Sequence, residues 1–419
     1  MSSQSSQPPP TALERGEEEQ PSQTQVDPGA EIARLKRRLA ASQEEVKELT
    51  QGKVKKPPTT VTMGRAIRRL VSLYESLDDL LQAADDHNSN ESENEDEDEV
   101  ELLTEEAQEK KQESESRFAA FKILIQVLPS FGKAIEDPAT DMDMYLTQLQ
   151  KGANDARSDD VRRIKEEIAL WLNLAYAPNP PLNTKCRSDR GMQNDITGRL
   201  LCPIEYDWDD ELVRNGIRAG TINISEDYFL RCFYPYGIGD PDNVEKGFLR
   251  SGLLVKTYSN IFISPSSSES FSDEDENGAA RKQQRSSNSQ KKATKCNVAN
   301  ILGMDGRVTP RSIAYAAVLL AFNLTDAGYW MEIYNQFNFR ALYALIVDFF
   351  EGPSGQAAKR RSQNLLKWWS AFFLTIMVHP PTPASPGTNF WHKGQLGKKV
   401  YPFNKAVVYI FEYCTFRIN

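Results

Sequence analysis

Apolar residues return every three or four positions along much of the chain, which is the spacing of amphipathic helices. The segments with this spacing are 63–81, 102–128, 142–149, 161–176, 339–350 and 356–378. A shorter helix is predicted within WDDELVRNGI, and Ser225 is predicted to cap a helical turn in SEDYFLRCFY. The pattern predicts a mainly α, multi-helix globular domain.

Two further helices are predicted from their start signals. Asp240-Pro241 and Thr309-Pro310 each place a capping side chain before a proline, which favours the first position of a helix. The first helix is expected to run to about Ile263, and the second through SIAYAAVLLAFNL. In contrast, the C-terminal segment KAVVYIFEYCTF is β-branched and aromatic, and its pattern fits a strand or a helix.

Polar tracts interrupt the helical pattern and bury too little apolar surface to fold. They predict a disordered tail, 1–58, that contains a short amphipathic helix, and a helical first part, 59–263, with an acidic disordered insert at 85–101. A disordered charged insertion, 264–296, precedes a helical second part of the same domain, 297–379. A Pro/Gly-rich segment, 380–419, ends the chain. Heptad spacing within 31–50 indicates weak self-association there.

Composition changes this picture only slightly. The net charge of −9 comes from the 85–101 tract, whose ten acidic residues are accompanied by no basic residue. The five cysteines are widely spaced without a C-x-x-C pair, so buried free thiols are expected rather than a zinc module. No segment has the apolar length of a signal peptide core or a membrane span, which predicts a soluble, intracellular protein without membrane contact.

Several phrases, in a fixed order, point to a known family. These are FYPYGIGDPDNVEKGFLRSGLLVKTYSNIFISPSS, VTPRSIAYAAVLLAFNLTDAGYW, FRALYALIVDFFEGP and LLKWWSAFFL. The chain resembles, over residues 118 to 378, an uncharacterised multi-copy family of mushroom-type (basidiomycete) fungal proteins. That family has no established activity, cofactor or functional residue, so the resemblance implies none. It varies in the loop after IFISPSS, which implies that the 264–296 tract is an insertion.

Residues that commonly carry catalysis form no recognisable constellation. The histidines, His87, His379 and His392, have no partner at ligand spacing, so no catalytic or cofactor residue is assigned and no cofactor is expected. Carboxylates offer the enzymatic alternative, because convergent acidic groups hold Mg²⁺ in nucleases. The candidates for such a site are Asp207, Asp209, Asp210, Asp348 and Glu351, although Asp209 and Asp210 also suit a helix start and Glu351 lies beside the helix stop EGPSG.

Two other clusters suggest surfaces. Trp368 and Trp369 are expected to pack in the core, with one of them partly exposed. Lys359, Arg360 and Arg361 lie at a helix start, where cations oppose the helix dipole, and are either a solvated turn or a small nucleic-acid contact.

The charged tracts carry regulatory signals. Ser92 and Ser272 each precede an acidic run, a context that acid-directed kinases prefer, and are predicted phosphorylation sites. The basic pairs Arg281-Lys282 and Lys291-Lys292 resemble a split nuclear-import signal, with KVKK at 53–56 as a weaker candidate. An unselected loop insertion is the alternative, because loops tolerate extra length at low cost.

The sequence therefore favours a non-enzymatic intracellular protein, in the nucleus rather than the cytoplasm, that acts as an interaction or scaffold protein for an unknown protein partner. One alternative is a metal-dependent nuclease or a protein derived from a mobile element. The other is a nucleic-acid-binding module, with weaker support from the charge pattern.

Overall fold

The computed structural model describes residues 58–93, 105–263 and 298–378, except Glu226 and Asp305. These residues belong to one compact unit that begins at Pro58. The helices are α1 (Thr60–Ala66), α2 (Leu77–Glu93), α3 (Glu105–Val127), α4 (Pro129–Glu136), α5 (Met142–Tyr176), α6 (Asp195–Leu201), α7 (Glu211–Ala219), α8 (Gly252–Phe262), α9 (Val298–Ile301), α10 (Pro310–Leu324), α11 (Phe339–Glu351) and α12 (Gln356–Val378). A turn of π-helix, Ile67–Val71, continues α1. The mainly helical fold class is confirmed.

Helix α10 forms the centre of the core. Every residue from Arg311 to Leu324 is buried, as expected for a helix that is apolar on all sides. Neighbours on several sides cover it, namely α5, α6, α8, α11 and the π turn. Its start is the predicted one: Thr309 accepts from the backbone N–H of Ser312, Ser312 reciprocates as a capping box, and Pro310 is the first helical residue.

Helix α1 crosses the long helix α5 at backbone contact. A Cβ atom on Gly64 would overlap the carbonyl of Leu149, and one on Gly152 would overlap the carbonyl of Val61. Only glycine permits so close an approach at both positions. This crossing holds the π turn, which follows α1 directly, against α5.

A two-stranded hairpin precedes α11. Strands β1 (Ile333–Tyr334) and β2 (Phe337–Asn338) pair antiparallel, and the two turn residues, Asn335 and Gln336, both have positive φ. That conformation belongs to the tight turn that matches strand twist. Asn338 then caps α11 by accepting from the backbone N–H groups of Arg340 and Ala341.

Several predicted elements are correct and others are wrong. The helices at 102–128, 339–350, 356–378 and within WDDELVRNGI are confirmed with small changes in their ends. The segment 63–81 is not one helix, because the chain breaks after Val71. Ser72 Oγ accepts from the backbone N–H groups of Tyr74 and Glu75, which competes with helix continuation. Ser76 and Asp79 then cap α2 reciprocally.

Two other errors concern helix length. The helices expected at 142–149 and 161–176 are a single helix, α5, whose middle faces α1 with small residues rather than large apolar ones. Helix α2 extends to Glu93, so the acidic insert expected from Asp85 is helical over its first nine residues. The remainder of that insert lies outside the described residues.

The expected helix starts at Asp240-Pro241 and Ser225 are also wrong. Asp240 accepts from the backbone N–H of Asp242 in a local turn, and α8 begins only at Gly252, where Ser251 is the cap. No helix follows Ser225, and the nearest helical turn is the 3₁₀ segment Arg231–Phe233. The tail 1–57, the insertion 264–297 and the segment 379–419 lie outside the described residues, so the proposed division of the chain stays a prediction.

The described cysteines differ in environment. Cys202 and Cys232 are buried free thiols, as expected, and burial raises the pKa of both. Cys186 is exposed, contrary to the expectation, because it lies in a surface loop after α5. Among the described residues no single helix has the length and apolarity to cross a membrane, although Lys110–Val127 and α4, sharply bent at their junction, together meet that test by length and composition alone.

Candidate functional site

Several charged side chains in this fold are buried, and most of them form hydrogen bonds or ion pairs that connect helices and loops. Asp160 of α5 is 1 % exposed and accepts two hydrogen bonds from Arg69, at 2.8 and 2.9 Å. It also accepts from the Tyr315 hydroxyl at 2.9 Å and from Arg163 at 2.9 Å. Burial disfavours the charged form of Arg69, but the attraction of Asp160 outweighs it and raises the pKa of Arg69. This cluster joins the π turn, α5 and α10.

A second network attaches α10 to α11. Arg311 donates to the carbonyl of Val71 at 2.7 Å and makes two hydrogen bonds with Glu351, at 3.1 and 2.9 Å. Nearby, Glu75 accepts from Arg340 at 2.8 Å. These charges are satisfied within the fold, so they have a structural explanation and need no ligand.

Two buried arginines position the loop after α10, residues 325–330. Arg187 donates to the carbonyl of Ala327 at 2.8 Å and to the side chain of Asn323 at 2.9 Å. Burial lowers the pKa of Arg187 to about 10, so its guanidinium remains charged at neutral pH. Arg190 donates to the carbonyls of Asn323 and Lys165, at 2.6 Å each. The 325–330 loop therefore has a fixed path between two cavities.

One cavity, the basic pocket, occupies about 430 Å³ between α5, the 185–188 loop and the 325–330 loop. Helix α5 contributes Arg157, Val161 and Lys165, which are four residues apart and hence on one face. The complete lining is Arg157, Ser158, Val161, Arg162, Lys165, Lys185, Cys186, Arg187, Ser188, Asp326, Gly328, Tyr329 and Trp330. Five of these side chains are basic and one is acidic.

The other cavity, the hairpin cleft, has a volume of about 400 Å³ and opens beside the β1–β2 hairpin. Its floor is apolar and buried, with Leu201, Ile217, Ile224, Leu230 and Phe339. Exposed amide side chains stand at its rim, namely Gln193, Asn223, Asn335 and Gln336.

Asp326 belongs to the lining of both cavities. Its carboxylate accepts from the Tyr334 hydroxyl of the hairpin at 3.0 Å. Burial and this hydrogen bond raise the pKa of Tyr334, which keeps the hydroxyl protonated as the donor. The 325–330 loop is thus the wall that the two cavities share.

Four of the five carboxylates proposed for a metal site have partners within the protein. Asp210 caps α7, Asp209 pairs with Arg199, and Asp207 accepts from the backbone N–H of Asp209. Glu351 pairs with Arg311, and burial together with the nearby Glu351 raises the pKa of Asp348. In the part of the chain that the structure describes, no three His, Cys, Asp or Glu side chains form a group that could hold a metal ion.

The other predicted clusters are largely structural. Trp368 and Trp369 are 2 % and 0 % exposed, so the packing prediction is confirmed, but the expected partial exposure of one ring is wrong. Lys359 and Arg360 are exposed at the start of α12, whereas Arg361 pairs with Glu245. His87 stacks on Phe118 with ring centroids 3.7 Å apart.

Most of the predicted regulatory residues lie outside the described residues. Ser92 lies in the last turn of α2, where a disordered tract was expected. Ser272, the basic residues Arg281, Lys282, Lys291 and Lys292, the heptads of 31–50, His379 and His392 all lie outside the described residues. Phosphorylation, nuclear import and self-association therefore stay predictions.

Sequence reasoning did not identify either cavity. Around α5 the basic residues alternate with acidic ones in NDARSDDVRRIKEE, so the local net charge is small. The rotation of about 100° per residue along α5 places Arg157 and Lys165 on one face of the helix and the buried Asp160 on another. The usable signal was the four-residue spacing of Arg157, Val161 and Lys165, which becomes visible once 142–176 is treated as one helix.

The fold and these cavities define a mainly helical protein with two open pockets that share one loop. Residues 151–372, just over half of the chain, match a family of unknown function, DUF6698, and the chain belongs to that family. The matched region contains every residue that lines either cavity. Neither the curated proteins nor the solved structures contain a match to this chain.

Proposed function

We propose that this chain is a non-catalytic interaction protein whose hairpin cleft receives an apolar side chain from an extended segment of a protein partner. The observation that carries this proposal is the combination of an apolar floor with a rim of uncharged amides. Amide side chains both donate and accept hydrogen bonds, so they suit the peptide groups on either side of an inserted side chain. The volume of about 400 Å³ is in the range of specific pockets.

The construction of the cleft also favours binding over catalysis. The cleft is lined by two charged residues, Asp326 and Arg218. Arg218 donates to the carbonyl of Met192 at 3.0 Å and to the carboxylate of Asp195 at 2.6 Å. Both charges are therefore held by neighbouring protein groups, and the surfaces left at the opening are apolar or amide. Such a surface provides shape and hydrogen bonding for a partner.

The test is site-specific photo-crosslinking in cells from a photoreactive amino acid at position 223, at the rim of the cleft. The expected result is a discrete set of covalent adducts that mass spectrometry identifies. Leu174, which is 73 % exposed on α5 and does not line the cleft, provides the control position. Equal adducts from positions 223 and 174 would show that the cleft has no special role.

A blocking variant sharpens this test. Ala219 is exposed at the end of α7 and lines the cleft, so Ala219→Trp is expected to fill it and remove the adducts. Ala344→Trp makes the same change at an exposed position of α11 outside the cleft and should leave the adducts intact. If Ala219→Trp retains them all, the partner binds elsewhere.

We further propose that the protein acts in the nucleus and belongs to a fungal, multi-copy set of relatives. The location rests on the split basic signal, so replacing Arg281, Lys282, Lys291 and Lys292 by Ala should move a fluorescent fusion to the cytoplasm. An unchanged distribution contradicts an import role for this signal. The fungal origin rests on the resemblance of sequence phrases, and a census of relatives across genomes tests it.

A further inference from the structure

The basic pocket contains more positive charge than the protein itself neutralises. Arg187 is committed to the 325–330 loop, and Arg162 lies 3.5 Å from Asp159. Arg157, Lys165 and Lys185 form no ion pair with any carboxylate among the described residues. Asp326, the acidic lining residue, already accepts from Tyr334. This differs from the Asp160 cluster, where every charge has a partner inside the fold.

An excess of like charge in a concave site has a physical cost, which an anion removes. The charge of Arg157 already acts on Arg68: burial and then this repulsion lower the pKa of Arg68 to about 10. A concave wall of one sign focuses the field and concentrates counter-ions in the cavity. The pocket is therefore suited to an anionic occupant.

The donors in the pocket fit a phosphate group in particular. Arginine and lysine are the usual phosphate-binding side chains, and here they come from two separate elements, α5 and the 185–188 loop. The hydroxyls of Ser158 and Ser188 line the same cavity and provide additional donors. A phosphate has enough acceptor oxygens to use donors that approach from several directions.

The dimensions of the pocket indicate an occupant larger than phosphate alone. Its volume of about 430 Å³ is in the range of small-molecule sites. The ring of Tyr329 lines the cavity and is 73 % exposed, which leaves a flat apolar face for the remainder of the ligand. Trp330 lines the cavity as well, and its ring lies 5.5 Å from the guanidinium carbon of Arg157.

We propose that the basic pocket binds a small molecule that carries a phosphate group, with Arg157, Lys165 and Lys185 holding the phosphate and Tyr329 facing the rest of the ligand. Two classes of small molecule carry such a phosphate group, namely nucleotides and sugar phosphates. This site is separate from the protein-binding role of the hairpin cleft, so either proposal can fail without the other.

Cys186 provides a direct reporter of occupancy, because its exposed thiol lines the pocket. The experiment uses the full chain and measures, by peptide mass spectrometry, the rate at which iodoacetamide alkylates Cys186. Adenosine monophosphate, glucose 6-phosphate and inorganic pyrophosphate are the probes, each at millimolar concentration. Cys296 and Cys414 lie outside the described residues and serve as internal references for reagent reactivity.

The expected result is slower alkylation of Cys186, but not of the reference cysteines, with at least one probe. Protection by adenosine monophosphate alone identifies a nucleotide site, and protection by glucose 6-phosphate alone identifies a sugar-phosphate site. Lys165→Gln should weaken the protecting probe by about tenfold, the effect of losing one charge-assisted hydrogen bond. Lys185→Gln, in an exposed loop, should do the same without any effect on helix packing.

Lys151→Gln is the matched control, because Lys151 is exposed on the same helix, about 21 Å from Lys165 at 1.5 Å per residue. It should leave protection unchanged. The proposal is overturned if none of the probes protects Cys186, or if potassium chloride at the same ionic strength protects it equally. Protection by a single-stranded oligonucleotide alone also overturns it and favours the nucleic-acid-binding alternative.

Discussion

Helix α5 carries two charged sites that the fold treats in opposite ways. On its buried face, Asp160 accepts from Arg69, Arg163 and Tyr315 and is 1 % exposed. On its outer face, Arg157 and Lys165 line an open cavity without an ion pair among the described residues. Charge alone therefore does not identify a functional site. What distinguishes the two sites is whether the protein supplies the counter-charge.

The largest effect is expected from breaking the buried site. Asp160→Ala leaves the guanidinium of Arg69 buried without its carboxylate, and removing one partner of such a pair costs about 3–5 kcal/mol. Tyr315 also loses the acceptor for its buried hydroxyl. We expect a correspondingly lower free energy of unfolding, measured by urea denaturation.

Asp159→Ala is the matched control for this prediction. Asp159 is the neighbouring carboxylate, its side chain is 50 % exposed, and it pairs with Arg65 at 2.8 Å. Solvent-exposed ion pairs contribute about 0–1 kcal/mol, so this variant should remain close to the wild type. Equal losses in the two variants would mean that burial of Asp160 does not set its importance.

An intermediate effect is expected at the α10–α11 contact. Arg311→Met removes the donor to the carbonyl of Val71 and the two hydrogen bonds to Glu351. A buried acceptor without a donor costs about 1–3 kcal/mol, which is the expected loss in the same denaturation assay. Arg361→Met is the control, since its pair with Glu245 is about half exposed and should cost less than about 1 kcal/mol. A loss at Arg361 as large as that at Arg311 contradicts this ranking.

The same contrast explains what the sequence could predict. Helices α10, α11 and α12 follow from apolar periodicity and from start signals such as Thr309-Pro310, because their stability comes from large side chains that the pattern records. Apolar periodicity predicts two helices where the structure has the single helix α5. The reason is that the middle of α5 packs through Gly152, Ala153 and Ala156, which have little or no apolar side chain. Close backbone packing between two helices requires small residues at the crossing, and small residues give no strong apolar periodicity in the sequence.

The pockets were beyond sequence reasoning for a related reason. The basic pocket joins Arg157 and Lys165 to residues 326–330, a separation along the chain that only the completed fold closes. The hydrogen bond from Arg187 to the carbonyl of Ala327 makes that connection, and a backbone acceptor has no identity in the sequence. Among the described residues the candidate carboxylates form no metal-binding group, and capping and ion pairing account for Asp210, Asp209 and Glu351.

The smallest effect on stability is expected at the open site. Lys165→Gln removes a half-buried cation that has no ion pair among the described residues, so the free energy of unfolding should change by less than about 0.5 kcal/mol. The backbone carbonyl of Lys165, which accepts from Arg190, is retained in this variant. Arg157→Gln is a less clean test, because it also removes the contact of Arg157 with the Trp330 ring.

A protecting phosphate ligand should turn this small difference into a measurable one. A ligand that binds only the folded state stabilises it by about 2.7 kcal/mol when its concentration is 100 times the dissociation constant. Lys165→Gln should therefore match the wild type in buffer but gain less stability when the ligand is added, whereas Lys151→Gln should gain as much as the wild type. If Lys165→Gln instead loses more than about 1 kcal/mol in buffer alone, Lys165 has a structural role like that of Asp160, and the contrast between the two faces of α5 does not hold.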